Sequence, residues 1–195
     1  VSRDWSSDVC SSDLPEYAVP VFSCQLAHDS ANHEGKVTGE KLIEVKLDGV
    51  RVLTIVYPDG RVDQFSRNGK ELVNFGVIKE QLAKTAGHYD MPMVFDGEVM
   101  SDSFQDLMKQ VHRKSNVRAN DAVLHLFDLI PLEDFETGKC ATPQMLRSET
   151  LQGWYETNRA NLPNVAVLGH ELVDLDSPDG QTRFSEIRSE EHTSE

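Results

Sequence analysis

The chain has 195 residues, 38% of them hydrophobic, and a formal net charge of -14. That suffices for one good core with appendages and is too little for a membrane protein, with no apolar run near the ~20 residues a bilayer span needs. The acidity is awkward for a nucleic-acid-binding protein, because phosphate contacts come from Lys and Arg, so any such contact would have to rest on local basic patches and on missing parts.

Both ends look foreign to the rest. Residues 4–14 read DWSSDVCSSDL and residues 188–195 read RSEEHTSE. Both resemble translated sequencing-library adapter, one in each orientation; the alternative is a pair of Ser-rich acidic tails. On this reading residues 1–14 are a disordered artefact, residues 188–195 a second artefact, and residues 15–187 the domain itself, which is still acidic. No basic stretch followed by an apolar one opens the chain, so no signal peptide is expected. Cys10, Cys24 and Cys140 are widely spaced, which argues against a disulfide framework or a cysteine zinc site and favours a reducing, cytoplasmic setting.

From Lys41 the pattern becomes regular. Ile43, Val45 and Leu47 alternate with Glu44, Lys46 and Asp48, the period of a half-buried strand. Asp48-Gly49 signals a tight turn. Residues 50–57 form a β-branched second strand, and Pro58-Asp59-Gly60 turns into a third over 61–66, ended by Asn68-Gly69. The three in succession predict an antiparallel meander. A short helix is expected over 77–86 and a strand over 93–100. Phe104, Leu107, Met108 and Val111 share one helical face, with Ser103 and Asp106 as a capping box. Residues 123–130 are a nearly continuous apolar run, a buried strand. Thr142-Pro143 reads as cap then first-turn proline of a helix carrying Leu146, Leu151, Trp154 and Tyr155. A last strand is expected over 165–173. Without strict alternation of strand and helix, the class is α+β on antiparallel sheets with flanking helices.

The most informative stretch is Glu44-x-Lys46-x-Asp48-Gly49-x-Arg51. It sets a lysine beside a turn, with two carboxylates and an arginine within a few residues. Lysine is a poor nucleophile while protonated, at a reference pKa of about 10.4, and neighbouring cations or burial help it lose that proton. Arg51 or a bound metal is the candidate for that pressure. The bland alternative is a charged hairpin with an incidental lysine.

Lys46-x-Asp48-Gly49-x-Arg51 resembles motif I of the covalent nucleotidyltransferases, the ATP-dependent DNA ligases, RNA ligases and mRNA capping enzymes. Three further stretches follow in that superfamily's order. Ser66-Arg67-Asn68-Gly69-Lys70 resembles motif Ia, Phe95-Asp96-Gly97-Glu98 motif III, and Leu124-His-Leu-Phe127-Asp128-Leu motif IIIa. Gln25-Leu-Ala27, Ser103-Phe-Gln105 with Leu107 and Arg113, and Thr142-Pro-Gln-Met-Leu-Arg147 with Leu151 extend the likeness to roughly residues 20–187. It is nearest to the compact phage and bacterial DNA ligases.

The resemblance implies an ATP-grasp-like adenylation domain that uses ATP and Mg²⁺ on nicked duplex DNA, as a monomer with no membrane attachment. Lys46 would take up AMP, pass it to a 5′-phosphate at a nick, and release it as the 3′-hydroxyl attacks. Glu44 and Glu98 would bind nucleotide or metal, Glu98 being the metal candidate. Asp48 would shape the turn or touch the ribose, with Gly49 beside it. Arg51 and Arg67 would hold phosphate or ribose, and Phe127 would stack on adenine. Taken alone, Phe127 reads as core, the Asn-Gly turn as ordinary and the acids as surface. Lys109, His112, Arg113, Lys114 and Arg118 offer a backbone-contact patch or simply a solvated helix face.

The motifs IV and V of the superfamily and its OB-fold domain are not found in this sequence. The chain is therefore expected to be incomplete at its C-terminus and inactive, or nearly so, as it stands. The other readings are an RNA ligase or capping-type enzyme, separable by nucleotide and nick type, and a non-enzymatic β-rich binding module, which would take up no nucleotide covalently.

Overall fold

The computed structural model describes residues 24, 32, 35, 37–101 and 121–191. The entry segment 25–27, the helix expected from Phe104 with its capping box and basic positions, and residues 1–14 and 192–195 lie outside the described residues.

Among the described residues seven strands form two sheets. The larger has the order β3-β2-β4-β5-β6. Its centre comes from the β-branched and apolar runs β2 (Val50–Val56), β4 (Met93–Met100) and β5 (Val123–Pro131), paired antiparallel. β3 (Val62–Ser66) joins β2 by a hairpin. At its turn Gly60 takes φ 91°, a conformation that glycine adopts without strain, and its N–H donates to the Tyr57 carbonyl at 3.0 Å. The sheet departs from the antiparallel expectation at one edge, where β6 (Val165–Val167) runs parallel to β5. The connection between them holds a short helix absent from the sequence reading, α2 (Leu132–Thr137), and a long one, α3 (Gln144–Asn158). Pro143, expected in the first turn after a Thr142 cap, is itself the cap, so α3 starts one residue later than expected.

The second sheet corrects the meander. β1 (Glu40–Glu44) does not fold back on β2; it pairs with β7 (His170–Asp174), Glu44 opposite His170. The single strand expected over 165–173 is thus two, in different sheets. β1 also ends at Glu44, earlier than its alternation suggests: residues 45–48 are neither strand nor helix, and Val45 is exposed. Their polar–apolar alternation has no sheet to serve. After β7, the hydroxyl of Ser177 accepts the Gly180 N–H at 3.0 Å near the start of α4 (Pro178–Glu191).

Each face of the large sheet has its own apolar cluster. On one, Val52, Phe95, Leu124 and Leu126 pack under Ile78 and Leu82 of α1 (Gly76–Ala83) and under Leu151 and Trp154 of α3. Leu146, expected among these, is half exposed instead. On the other face Leu53, Ile55 and Val94 meet Leu132 and Phe135 of α2. That second cluster covers one end of its face and leaves the other to polar side chains. Trp154 anchors the first: it is 1% exposed and its ring lies 4.5 Å from that of Phe95. Trp154→Ala is expected to destabilise the fold by about 3–5 kcal/mol in urea unfolding, since so large a void cannot fully close; a loss under about 1 kcal/mol would mean that α3 is not pinned to the sheet here. Among the described residues no helix is long and apolar enough to cross a membrane.

Candidate active site

The uncovered end of the large sheet is the floor of an open cleft of about 1410 Å³. Alternation along two strands builds it. Arg51 in β2 and Asp96 and Glu98 in β4 point away from the α1–α3 core, on the same side as Leu53 and Val94. Lys46, Asp48 and Gly49 form one wall as the chain crosses from β1 to β2, with Glu44 at the end of β1. Ser66, Arg67 and Lys70 form another, after β3. The opposite rim is the stretch from Gly138 to Arg147.

Two glycines let the floor and wall approach. Gly49 does not make the hairpin turn expected of Asp48-Gly49. It is glycine because a Cβ there would stand 2.3 Å from the Val99 carbonyl and 2.6 Å from the Met100 sulfur. This contact brings its N–H to Glu98 Oε1 at 3.0 Å and fixes the Lys46 connector against β4. A Cβ on Gly97 would meet the His125 carbonyl at 2.6 Å. At that point the β4–β5 ladder slips: Asp96 faces Asp128 and Gly97 faces Leu126, so Phe127 is the extra residue of a β-bulge. A bulge re-aims the side chain it carries. Phe127 is accordingly half-buried on the cleft and not in the core, with the Arg51 guanidinium 5.4 Å from its ring centre.

The charges are largely paired. Arg51 forks onto Asp96, Nε to Oδ1 at 3.0 Å and Nη2 to Oδ2 at 2.6 Å. Its charge is thus committed to that carboxylate, which weakens the idea that Arg51 is the cation pressing on Lys46. Burial pushes the Asp96 carboxyl above the usual range, and the Arg51 fork opposes this. Arg147 forks onto Asp128 in the same way. Burial raises the Glu98 carboxyl too, offset by the Gly49 N–H and the positive charges of Arg51 and Lys46. Glu44 is half-buried and pushed up by burial and by Asp128, and among the described residues its side chain has no hydrogen-bond partner. Arg67 and Asp48 line the cleft without an ion pair among the described residues.

The nucleotide-site candidates read from the sequence all line one cleft: Glu44, Lys46, Asp48, Gly49, Arg51, Arg67, Glu98 and Phe127. Sequence reasoning missed Asp96 as the partner of Arg51 and the Asp128–Arg147 pair. Both carboxylates stood inside quoted motifs, but no spacing rule joins residues 45 or 19 positions apart. No three His, Cys, Asp or Glu side chains converge on a metal-sized site among the described residues.

Comparison with known proteins adds to this geometry. A family model described as ATP dependent DNA ligase domain matches residues 24–164. A DNA ligase of Haloferax volcanii is 35% identical over 86 residues, 40% of this chain and 14% of that protein. A solved structure named Pmar-Lig_Pre shares 52% identity at a TM-score of 0.80, over 89% of this chain and 40% of that one. The ATP-dependent DNA ligase of bacteriophage T7, solved in complex with ATP, shares the fold at 16% identity and a TM-score of 0.59, over 85% of this chain and 58% of that one. The chain thus spans well under half of the first two relatives' length.

Proposed function

The chain belongs to the ATP-dependent DNA ligase domain family, and from that premise we propose that its cleft binds ATP and transfers AMP to Lys46. The observation that carries this is the convergence of the Lys46 connector, the Phe127 bulge and the Arg67 wall on one cleft. Phe127 offers a ring to the base. Glu44, half-buried and unpartnered among the described residues, offers an acceptor to a base amine or a ribose hydroxyl. Asp48 stands near enough to the same wall to share the ribose, and Arg67 offers a cation to the phosphates.

In the step itself the Lys46 amine, having lost its proton to solvent, attacks the α-phosphorus. A P–N bond forms, the bond to the β-phosphate oxygen breaks, and pyrophosphate leaves with that electron pair. Mg²⁺ when bound supplies charge neutralisation on the phosphates. It needs only one or two carboxylates from the protein, and Glu98 with Glu44 on the cleft would hold it, no larger cluster being present among the described residues. The adenylyl group then goes to a 5′-phosphate at a nick in duplex DNA, and the 3′-hydroxyl displaces AMP. We place this activity in a cytoplasmic monomer; the free thiols of Cys24 and Cys140 support a reducing compartment.

The test uses α- and γ-labelled ATP with Mg²⁺. It is run on the chain and on the chain extended by the remaining part of the Pmar-Lig relative. The expected result is ATP binding by the chain and, after denaturation, α-label but no γ-label on the extended form. Absence of both binding and label would sink the proposal. Label from GTP alone would favour a capping-type enzyme, and sealing of RNA but not DNA nicks an RNA ligase.

A further inference from the structure

The cleft is lined by two arginine–carboxylate forks, and the second, which joins rim to floor, lies outside every residue given a role above. Arg147 in α3 donates from Nε to Asp128 Oδ1 at 2.8 Å and from Nη2 to Oδ2 at 2.9 Å. The two side chains are only 14% and 13% exposed. Further donors of Arg147 go to the Thr142 carbonyl and the Gln144 side-chain oxygen, so the guanidinium is tied to the entry of α3 as well as to β5. Asp128 in turn accepts the Leu129 N–H at 2.8 Å.

This fork sits beside the bulge of β5. A bulged residue drops out of the ladder, so inter-strand hydrogen bonds do not fix its direction. Phe127 is that residue, and Asp128 is the next one along the chain. The side chain of Asp128, gripped in two places by a planar fork, is a fixed point beside Phe127 on the cleft side, and it acts together with the Arg51 guanidinium 5.4 Å from the Phe127 ring centre. A two-bond fork fixes orientation as well as distance, which a single ammonium contact does not.

We propose that Arg147 is a positioning residue for base recognition: through Asp128 it holds the bulge of β5 so that Phe127 faces the nucleotide. This rests on the reading of the cleft as an ATP site. Two simpler roles compete with it. Arg147 also neutralises Asp128, whose charge raises the carboxyls of both Glu44 and Asp96; and it ties α3 to the sheet. The three roles separate with two probes, ATP and inorganic tripolyphosphate, which shares the phosphates and lacks the base.

The variant is Arg147→Lys, which keeps the charge and loses the fork. Binding is measured on the chain by equilibrium dialysis at constant Mg²⁺, with thermal unfolding followed alongside. ATP affinity is expected to fall about tenfold, the scale of losing a stacked aromatic. Tripolyphosphate affinity is expected to stay within about twofold. Phe127→Ala should cost about as much as Arg147→Lys, and the double variant no more than either, because both act through one contact. Unchanged ATP binding in Arg147→Lys would overturn the proposal, as would an equal loss of both probes or a loss that adds to that of Phe127→Ala. A wild-type chain that binds no ATP would remove the nucleotide reading first, and this inference with it.

Discussion

Lys46→Ala, made in the extended form of the chain, is expected to lower covalent α-label by more than about a thousandfold, the scale on which losing a nucleophile acts. Its stability should stay within about 0.5 kcal/mol of the parent, because Lys46 is exposed on a connector outside both sheets. Lys46→Arg should be equally silent. A guanidinium keeps the charge and the reach but does not deprotonate, so it can hold a phosphate without attacking it. The comparison is demanding because other nucleophiles line the same cleft: the thiols of Cys24 and Cys140 and the amines of Lys70 and Lys139. A cleft that merely concentrated ATP near reactive groups would shift label onto one of them in Lys46→Ala. Peptide mapping of the label decides between the two. Label persisting in Lys46→Ala, on any residue, would mean that the wall contact between Gly49 and Glu98 does not select the nucleophile.

That contact also shows what the sequence made legible. β2, β4 and β5 are readable because β-branched and apolar residues predominate in each, broken by only a few polar ones, most of which face the cleft. The partner of β1 is not readable: residues Glu40–Glu44 and His170–Asp174 lie far apart in the chain, and nothing in either stretch names the other. α2 is too short for a helical period to show. Asp48-Gly49 looked like a hairpin because Gly in a turn and Gly under a close backbone approach leave the same letter; only the 2.3 Å clash with Val99 distinguishes them. Phe127 reads as one apolar residue in an apolar run. The bulge turns it toward the cleft, and the bulge depends on a register slip that pairing alone determines. The residues quoted in the motifs line one cleft, while their mutual arrangement, above all the two arginine forks, comes from strand pairing and helix packing.

The Arg51–Asp96 fork yields the largest expected stability effect in the cleft. Asp96 has 9% of its side chain exposed and Arg51 20%. Removing the arginine leaves a buried carboxylate without its main partner, a change that costs about 3–5 kcal/mol in comparable pairs. The partial exposure of Arg51 places Arg51→Ala near the lower end, about 3 kcal/mol at neutral pH. The pH dependence follows from the direction of the Asp96 shift. Burial already holds its carboxyl above the usual range, with Arg51 pulling down. Without Arg51 the folded-state value climbs further above the unfolded one, which stays near about 3.9. A carboxyl raised on folding binds its proton more readily in the folded state. Its contribution is therefore fully present below the unfolded value and is lost as pH rises through the folded one. The deficit of Arg51→Ala relative to the parent should then be smaller near about pH 5.5 than near about pH 7.5, and Asp96→Asn added to it should recover part of the loss at the higher pH. Urea unfolding of the single and double variants at both pH values measures this. A deficit that ignores pH, or one that Asp96→Asn deepens, would mean that the arginine acts by packing over Phe127 and not as the counter-ion of Asp96.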